Sequence, residues 1–197
     1  MRIITGTLKG RRLVAPPGQS VRPTSDRLRE TLFNVLGDSI VGTRVLDAFA
    51  GTGAIGIEAL SRGAVHATFV ESDARVIRVL SDNIRACGVG DACVIIRHDF
   101  LSARPAGAPV DIVIADPPYD IAALEDVVAR GAGWLAGRGR LVLEHSRRRA
   151  SPEEAGAVRR TRILTAGDSA LSFYSHHKTT PGVVSGDGGE TTPGVVL

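Results

Sequence analysis

Four consecutive residues, Asp116-Pro117-Pro118-Tyr119, combine a carboxylate, two ring-locked backbone positions and an aromatic face. The set suits chemistry on an amino group attached to a planar ring. Such an amine is a weak nucleophile, because its lone pair is delocalised into the ring. Acceptors beside its hydrogens favour a pyramidal nitrogen and free the pair for attack. Asp116 and the carbonyl of Pro117 suit that part, the prolines fix φ and stiffen the loop, and Tyr119 offers a π face on which a flipped base can stack. The reaction would be a direct in-line displacement, needing neither a metal nor a covalent intermediate. In isolation the same four residues also describe a rigid polar turn. Their position directly behind the apolar run Val110-Asp111-Ile112-Val113-Ile114-Ala115, well downstream of a glycine-rich turn, favours the chemical reading.

That turn is Gly51-Thr52-Gly53-Ala54-Ile55-Gly56, a literal GxGxxG between an apolar strand and a helix. Glycines are needed where the backbone approaches a ligand closely and bends sharply into a helix. The motif alone fits a nicotinamide dinucleotide equally well, and Glu71, ending the next strand, would bond ribose hydroxyls in either case. Asp47, just before the turn, argues for S-adenosylmethionine: a carboxylate there suits a sulfonium cofactor carrying an ammonium group and would repel a pyrophosphate. Asp99 and Phe100, after the third strand, would supply an acceptor for an adenine amine and an apolar edge beside its ring, although Asp99 also fits a plain surface loop. The pattern as a whole resembles the class I methyltransferases.

Placing these residues together requires alternating strands and helices. Strands are predicted at Val45-Leu46-Asp47-Ala48, Thr68-Phe69-Val70-Glu71, Cys93-Val94-Ile95-Ile96, residues 110–115 and Arg140-Leu141-Val142-Leu143-Glu144, with two more around residues 157–164 and 170–174. Helical spacing links Leu28, Leu32, Val35 and Leu36, then Ile55 to Leu60, then Val76, Ile77, Leu80 and Ile84, and last Leu124, Val127, Val128 and Trp134. The expected fold is α/β and Rossmann-like, a doubly wound, mostly parallel sheet of seven strands. It would carry a short N-terminal hairpin and helix, so that residues 1–38 form an extension, 39–176 the main domain and 177–197 a tail. Ligands bind at the carboxyl ends of such strands, so Asp47, Glu71, Asp99 and Asp116 should share one rim.

Charge is unevenly spread. Residues 1–29 hold seven bases against one acid, while the rest of the chain has more acids than bases. An arm bearing Arg2, Lys9, Arg11, Arg12, Arg22 and Arg29 is what a polyanion-binding segment looks like, although a solvated hairpin is the plainer alternative. Arginine outnumbers lysine 22 to 2, a bias that a GC-rich genome would also produce. Cys87 and Cys93 fit no zinc spacing and are expected in the core; no Pro-Cys pair offers the nucleophile that methylation at a ring carbon commonly uses. No apolar run reaches membrane-spanning length and no signal-peptide pattern opens the chain, so a cytoplasmic monomer is expected. Within the tail, Thr179-Thr180-Pro181-Gly182-Val183-Val184 recurs as Thr191-Thr192-Pro193-Gly194-Val195-Val196, and disorder is expected there.

The stretches Arg2-Ile3-Ile4-Thr5-Gly6, Gly10-Arg11-Arg12-Leu13, Arg22-Pro23-Thr24-Ser25-Asp26-Arg27-Leu28-Arg29-Glu30, the run from Asp47 to Ala64 and the Asp116 loop together resemble the RsmD family, the ribosomal RNA small subunit methyltransferase D enzymes. The resemblance runs from about Arg2 to Tyr174. It implies N2 methylation of a guanine in 16S rRNA, with the 30S subunit or its assembly intermediate as partner. It also implies that Asp47, Gly51, Gly53, Glu71 and Asp99 line the cofactor pocket and that Asp116 and Tyr119 handle the guanine. Thr24, with Arg22, Asp26 and Arg29, would close over the cofactor or touch RNA. Two departures stand out: Ala166 replaces the tyrosine usual before the Gly167-Asp168 pair, and the repeat tail is foreign to the family. Two rivals share parts of the pattern. DNA adenine-N6 or cytosine-N4 methyltransferases use a similar loop, but no segment here looks like their target-recognition domain. A nonenzymatic NAD-binding module would share only the glycines.

Overall fold

The computed structural model describes residues 1–16, 26–105 and 107–177. Expectations for Arg22, Thr24 and the repeat tail fall outside the described residues.

Eight strands form one sheet in the order β3-β2-β1-β4-β5-β8-β7-β6. β1 (Arg44–Asp47), β2 (His66–Glu71), β3 (Cys93–Arg97), β4 (Val110–Ala115) and β5 (Leu135–Ser146) are parallel neighbours; β8 (Ser169–His176) adds antiparallel to β5, and β7 (Val158–Ala166) antiparallel to β8. The eighth strand, β6 (Glu154–Ala155), was not foreseen: two residues long, it carries no periodicity to read and pairs only with the start of β7. The central strands are buried on both faces, hence the near-continuous apolar runs in β1 and β4.

One face of the sheet carries α1 (Asp26–Leu36), α2 (Ala54–Ser61) and α3 (Ala74–Cys87), packed through Leu32, Phe33, Ile57, Leu80 and Ile84 onto Val45, Phe69 and Ile114. The other face is covered by α4 (Leu124–Ala132), with Trp134 and Phe100, against Leu46, Val113 and Leu141. Trp134 lies beyond α4 rather than within it. Its amide bonds back to Gly131, its carbonyl accepts from Val110, and its ring fills the core as the chain enters β5. α3 has the clearest local signals: the Asp73 side chain accepts from the Arg75 amide at its start, and Gly88 at φ +70° ends it.

The N-terminal hairpin is present: Arg2 and Arg12 form an antiparallel bridge, the Ile3 amide donates to the Arg11 carbonyl, and the Gly10 and Leu13 amides donate to the carbonyls of Ile3 and Met1. Amides in the middle of the arm bond to α2. The amides of Ile4 and Thr5 donate to the Glu58 carboxylate (2.7 and 3.0 Å), and those of Thr7 and Leu8 to the carbonyl and hydroxyl of Ser61. Gly6 lies so close that a Cβ would sit 1.8 Å from the Ser61 oxygen. Further on, the Asn83 amide side chain, almost fully buried, bonds both backbone groups of Val14 and the Thr52 carbonyl. The arm is thereby fixed to the glycine turn.

Candidate active site

The strand order reverses between β1 and β4, both of which end on the same rim. Asp47 is the last residue of β1 and pairs with Ile114; Asp116 directly follows Ala115, the last residue of β4. Glu71 ends β2, and Asp99 lies two residues past β3. The four acids expected on one rim are all there.

Each glycine of the turn has its own reason. Gly51 and Gly53 adopt φ +53° and +82°, a region closed to most side chains. A Cβ on Gly53 would lie 2.4 Å from Leu80, and one on Gly56 only 2.3 Å from the Phe69 ring, so these two let α2 lie against β2 and α3. Gly51 differs, since a Cβ there would meet nothing closer than 4.0 Å. Its space is open for a ligand. Glu71 holds the turn in place: one carboxylate oxygen accepts from the Gly51 amide (3.0 Å), the other from Ser72 and Asp73.

Asp47 is 1% exposed. One of its oxygens accepts from the Gly56 amide at 3.0 Å, and the other is buried with no hydrogen-bond partner among the described residues. Burial pushes the carboxyl up to about 7; the Gly56 bond opposes this and the nearby charge of Glu71 adds to it. A buried, half-satisfied acid is costly unless something cationic completes it. The orphaned oxygen and the open side of Gly51 together fit a cofactor that brings an ammonium group and an adenosine.

The loop after β4 holds its residues differently. Asp116 is half-buried, Pro117 buried and Tyr119 45% exposed. The Tyr119 hydroxyl donates to Glu144 Oε1 (2.9 Å) and meets Ser169 Oγ at 2.9 Å. Arg149 reaches across from the β5–β6 turn, and its guanidinium donates to the carbonyls of Ile121 and Ala122 at 2.5 and 2.6 Å. The ring is therefore anchored at its hydroxyl end. Glu144, Ser169 and Arg149 escaped the sequence reading, although Glu144 ends a predicted strand and the carboxyl-end rule would have selected it.

Two assignments change. Arg29 cannot be an RNA contact in this conformation, because it is fully buried. Its guanidinium donates to the Arg2 carbonyl (2.6 Å) and to Asp26 (3.0 Å) and lies 4.0 Å from Glu58, where Arg62 also binds. It fastens α1 and the arm to α2. Phe100 is 2% exposed and packs edge-on against Phe49 with centroids 5.2 Å apart, so it supports the rim from the core rather than lining it. Asp99 is exposed, with one oxygen capping the turn at Leu101 and Ser102. Arg2, Lys9, Arg11 and Arg12 are all exposed, and Arg2 and Lys9 border a cleft of about 380 Å³ together with Asp26, Arg27 and Glu30. Cys87 is buried and Cys93 half-buried; burial pushes the Cys93 thiol up to about 11, which makes it a poor nucleophile. Among the described residues no group of three metal-ligating side chains gathers, and no helix is long and apolar enough to cross a membrane.

Comparison with known proteins agrees with this geometry. Residues 1–175 match the family described as Conserved hypothetical protein 95. The chain is 38% identical over 176 residues to the ribosomal RNA small subunit methyltransferase D of Escherichia coli (strain K12), spanning 88% of this chain and 89% of that one. The protein of the same name from Haemophilus influenzae is 40% identical over 134 residues, 66% and 69% of the two chains. Among solved structures, yhhF from Escherichia coli superposes with a TM-score of 0.77 at 37% identity, covering 89% of this chain and 97% of that one. The fold is that of the class I methyltransferases, and the chain is a methyltransferase belonging to the ribosomal RNA small subunit methyltransferase D (RsmD) family.

Proposed function

We propose that this protein methylates the exocyclic N2 amine of a guanine in small-subunit ribosomal RNA, with S-adenosylmethionine as donor. The observation that carries the reading is the pairing, across the β1–β4 reversal, of a buried half-satisfied acid at an open glycine turn with the anchored Asp116-Pro117-Pro118-Tyr119 loop. The names of the curated relatives supply the nucleic acid.

Bound S-adenosylmethionine supplies an electrophilic methyl group on a sulfonium. The chain's own residues do the rest. Asp47, Gly51 and Glu71 hold the cofactor end of the rim; Asp116 and the Pro117 carbonyl accept from the guanine amine hydrogens; Tyr119 stacks on the ring. Transfer would break the methyl–sulfur bond, leaving a neutral thioether, and make the amine cationic; Asp116 would stabilise that charge and take the released proton. Arg2, Lys9, Arg11 and Arg12 would contact phosphates. The 30S subunit or its assembly intermediate is the expected substrate particle.

The direct test offers labelled methyl donor with 16S rRNA, 30S subunits lacking the modification, and duplex DNA. Label in the ribosomal substrates, at N2 of guanine, is expected. Label only in DNA would overturn the reading, and calorimetric binding of NAD without S-adenosylhomocysteine would remove methyl transfer altogether.

A further inference from the structure

The β5–β6 turn carries three consecutive arginines with two separate orientations. β5 runs three residues beyond Leu143, its last partner with β4, so Ser146 and the turn after it stand above the catalytic rim. Arg149 turns inward, half-buried, and bonds the backbone of Ile121 and Ala122 just downstream of Tyr119. Arg147 and Arg148 turn outward and are exposed. The turn itself is well fixed. The Arg147 amide donates to the Asp168 carbonyl, the Arg148 amide to Ser146 Oγ and the Arg149 amide to the Ser146 carbonyl. Ser169, beside Asp168 and paired with Ser146, is the residue that meets the Tyr119 hydroxyl.

Among the exposed arginines, Arg75, Arg85 and Arg159 are ion-paired with Asp73, Asp82 and Glu154, whereas Arg78, Arg97, Arg138 and Arg162 have no ion pair among the described residues, so it is the place at the rim that sets the turn's arginines apart. Arg147 and Arg148 have no ion pair among the described residues. Asp168 and Asp120 are the nearby exposed acids, and Asp168 offers Arg147 its carbonyl rather than its carboxylate. Two uncompensated, adjacent guanidiniums on a rigid turn form a site for a polyanion, because each presents a fork of donors suited to phosphate oxygens. The turn lies on the opposite side of the rim from the basic N-terminal arm, which packs on α2 and α3.

We propose that Arg147 and Arg148 grip the RNA backbone beside the target nucleotide, forming a second phosphate contact distinct from the N-terminal arm. The inward Arg149 ties this grip to the loop that receives the base. An RNA held at the turn is thereby held in register with Tyr119. The inference rests on the RNA substrate assigned above.

The test compares the double variant R147A/R148A with the full chain, measuring binding to unmodified 16S rRNA over a range of salt. The slope of log affinity against log salt should become shallower by about 1.5, as for the loss of two phosphate contacts, with KM for RNA rising about tenfold at a fixed salt concentration. Affinity for S-adenosylhomocysteine should stay as in the wild type, which shows that the variant is folded. R149A should leave the salt slope intact and lower kcat. An unchanged slope and KM in the double variant overturn the proposal, as does a slope loss in R149A equal to that of the double variant. If wild-type protein transfers methyl groups only to DNA, the assigned substrate is wrong; if it transfers them to rRNA and the double variant binds normally, only this inference fails.

Discussion

The two halves of the rim are built by different means. On the β1–β2 side the site is made of backbone and close packing. Gly53 and Gly56 fit under Leu80 and Phe69, Glu71 bonds three amides, and Asp47 is buried with its neighbours. On the β4–β5 side the site is made of side chains reaching over long sequence distances. Tyr119 is bonded to Glu144 and Ser169, 25 and 50 residues away, and the following segment to Arg149. A small cofactor is gripped best by a pocket that does not rearrange, since preorganisation lowers the cost of binding. A base arriving on a macromolecule needs an accessible ring, and Tyr119, fixed by its hydroxyl, stays 45% exposed.

The strongest way to break this division is Asp116→Ala. Removal of an acceptor that acts in the transition state should lower kcat by about 10²–10⁴-fold, with S-adenosylhomocysteine affinity unchanged by calorimetry. Equal loss of both would show that Asp116 belongs to the cofactor half. The next largest effect is expected on stability. Glu58 is buried, accepts from two arm amides and Arg62, and faces Arg29. Glu58→Ala takes one of two counter-charges from the buried Arg29, leaving Asp26, and strips the acceptor from two arm amides and Arg62, so it should cost about 3–5 kcal/mol in urea unfolding. A loss below about 1 kcal/mol would mean that the arm is only draped over the cofactor half, since exposed ion pairs are worth no more than that.

Smaller effects should follow from loosening the tyrosine. Tyr119→Phe removes two hydrogen bonds and keeps the ring, so kcat/KM for RNA should fall by about thirtyfold, at roughly 1 kcal/mol per bond. Tyr119→Ala should cost more, because stacking is worth about 1–3 kcal/mol per base. If Phe and Ala behave alike, the anchoring by Glu144 and Ser169 matters as much as the ring, and the substrate half is tighter than described.

The same contrast explains what could be read in advance. The cofactor half follows from local rules: a strand ending in Asp47, glycines where a Cβ would collide, and an acid closing the next strand. Its parts lie within a short span, so spacing encodes them. The clamp on Tyr119 joins residues from β4, β5 and β8, and no spacing rule connects them. Arg29 misled because charge density was read as exposure, whereas counter-ions at Asp26 and Glu58 offset the cost of its burial. Phe100 misled similarly: an aromatic beside a rim acid was assigned to the ligand when the core needed it. The hairpin expected from alternation in residues 1–15 is there, but the docking of its middle amides onto α2, more than 50 residues away, is encoded by no local pattern.

A pH dependence at Asp47 separates ligand contact from mere burial. With its carboxyl raised to about 7, the folded protein holds an extra proton between the ordinary carboxylate range near pH 4 and about pH 7. The unfolded chain releases that proton lower down, so the contribution of Asp47 to stability falls as pH rises through this window and levels off above it. Binding should run the other way. An ammonium group beside the orphaned oxygen favours the ionised acid, so complex formation expels the proton. Affinity for S-adenosylhomocysteine should then rise with pH, by up to about tenfold per unit below pH 7, and flatten above. Asp47→Asn should abolish the slope while keeping the Gly56 bond, because an amide oxygen can accept in the same place. A wild-type affinity that is flat across this range would place the cationic end of the cofactor away from Asp47. The buried acid would then serve α2 alone, and the cofactor half would owe its grip to the open side of Gly51 and to Glu71.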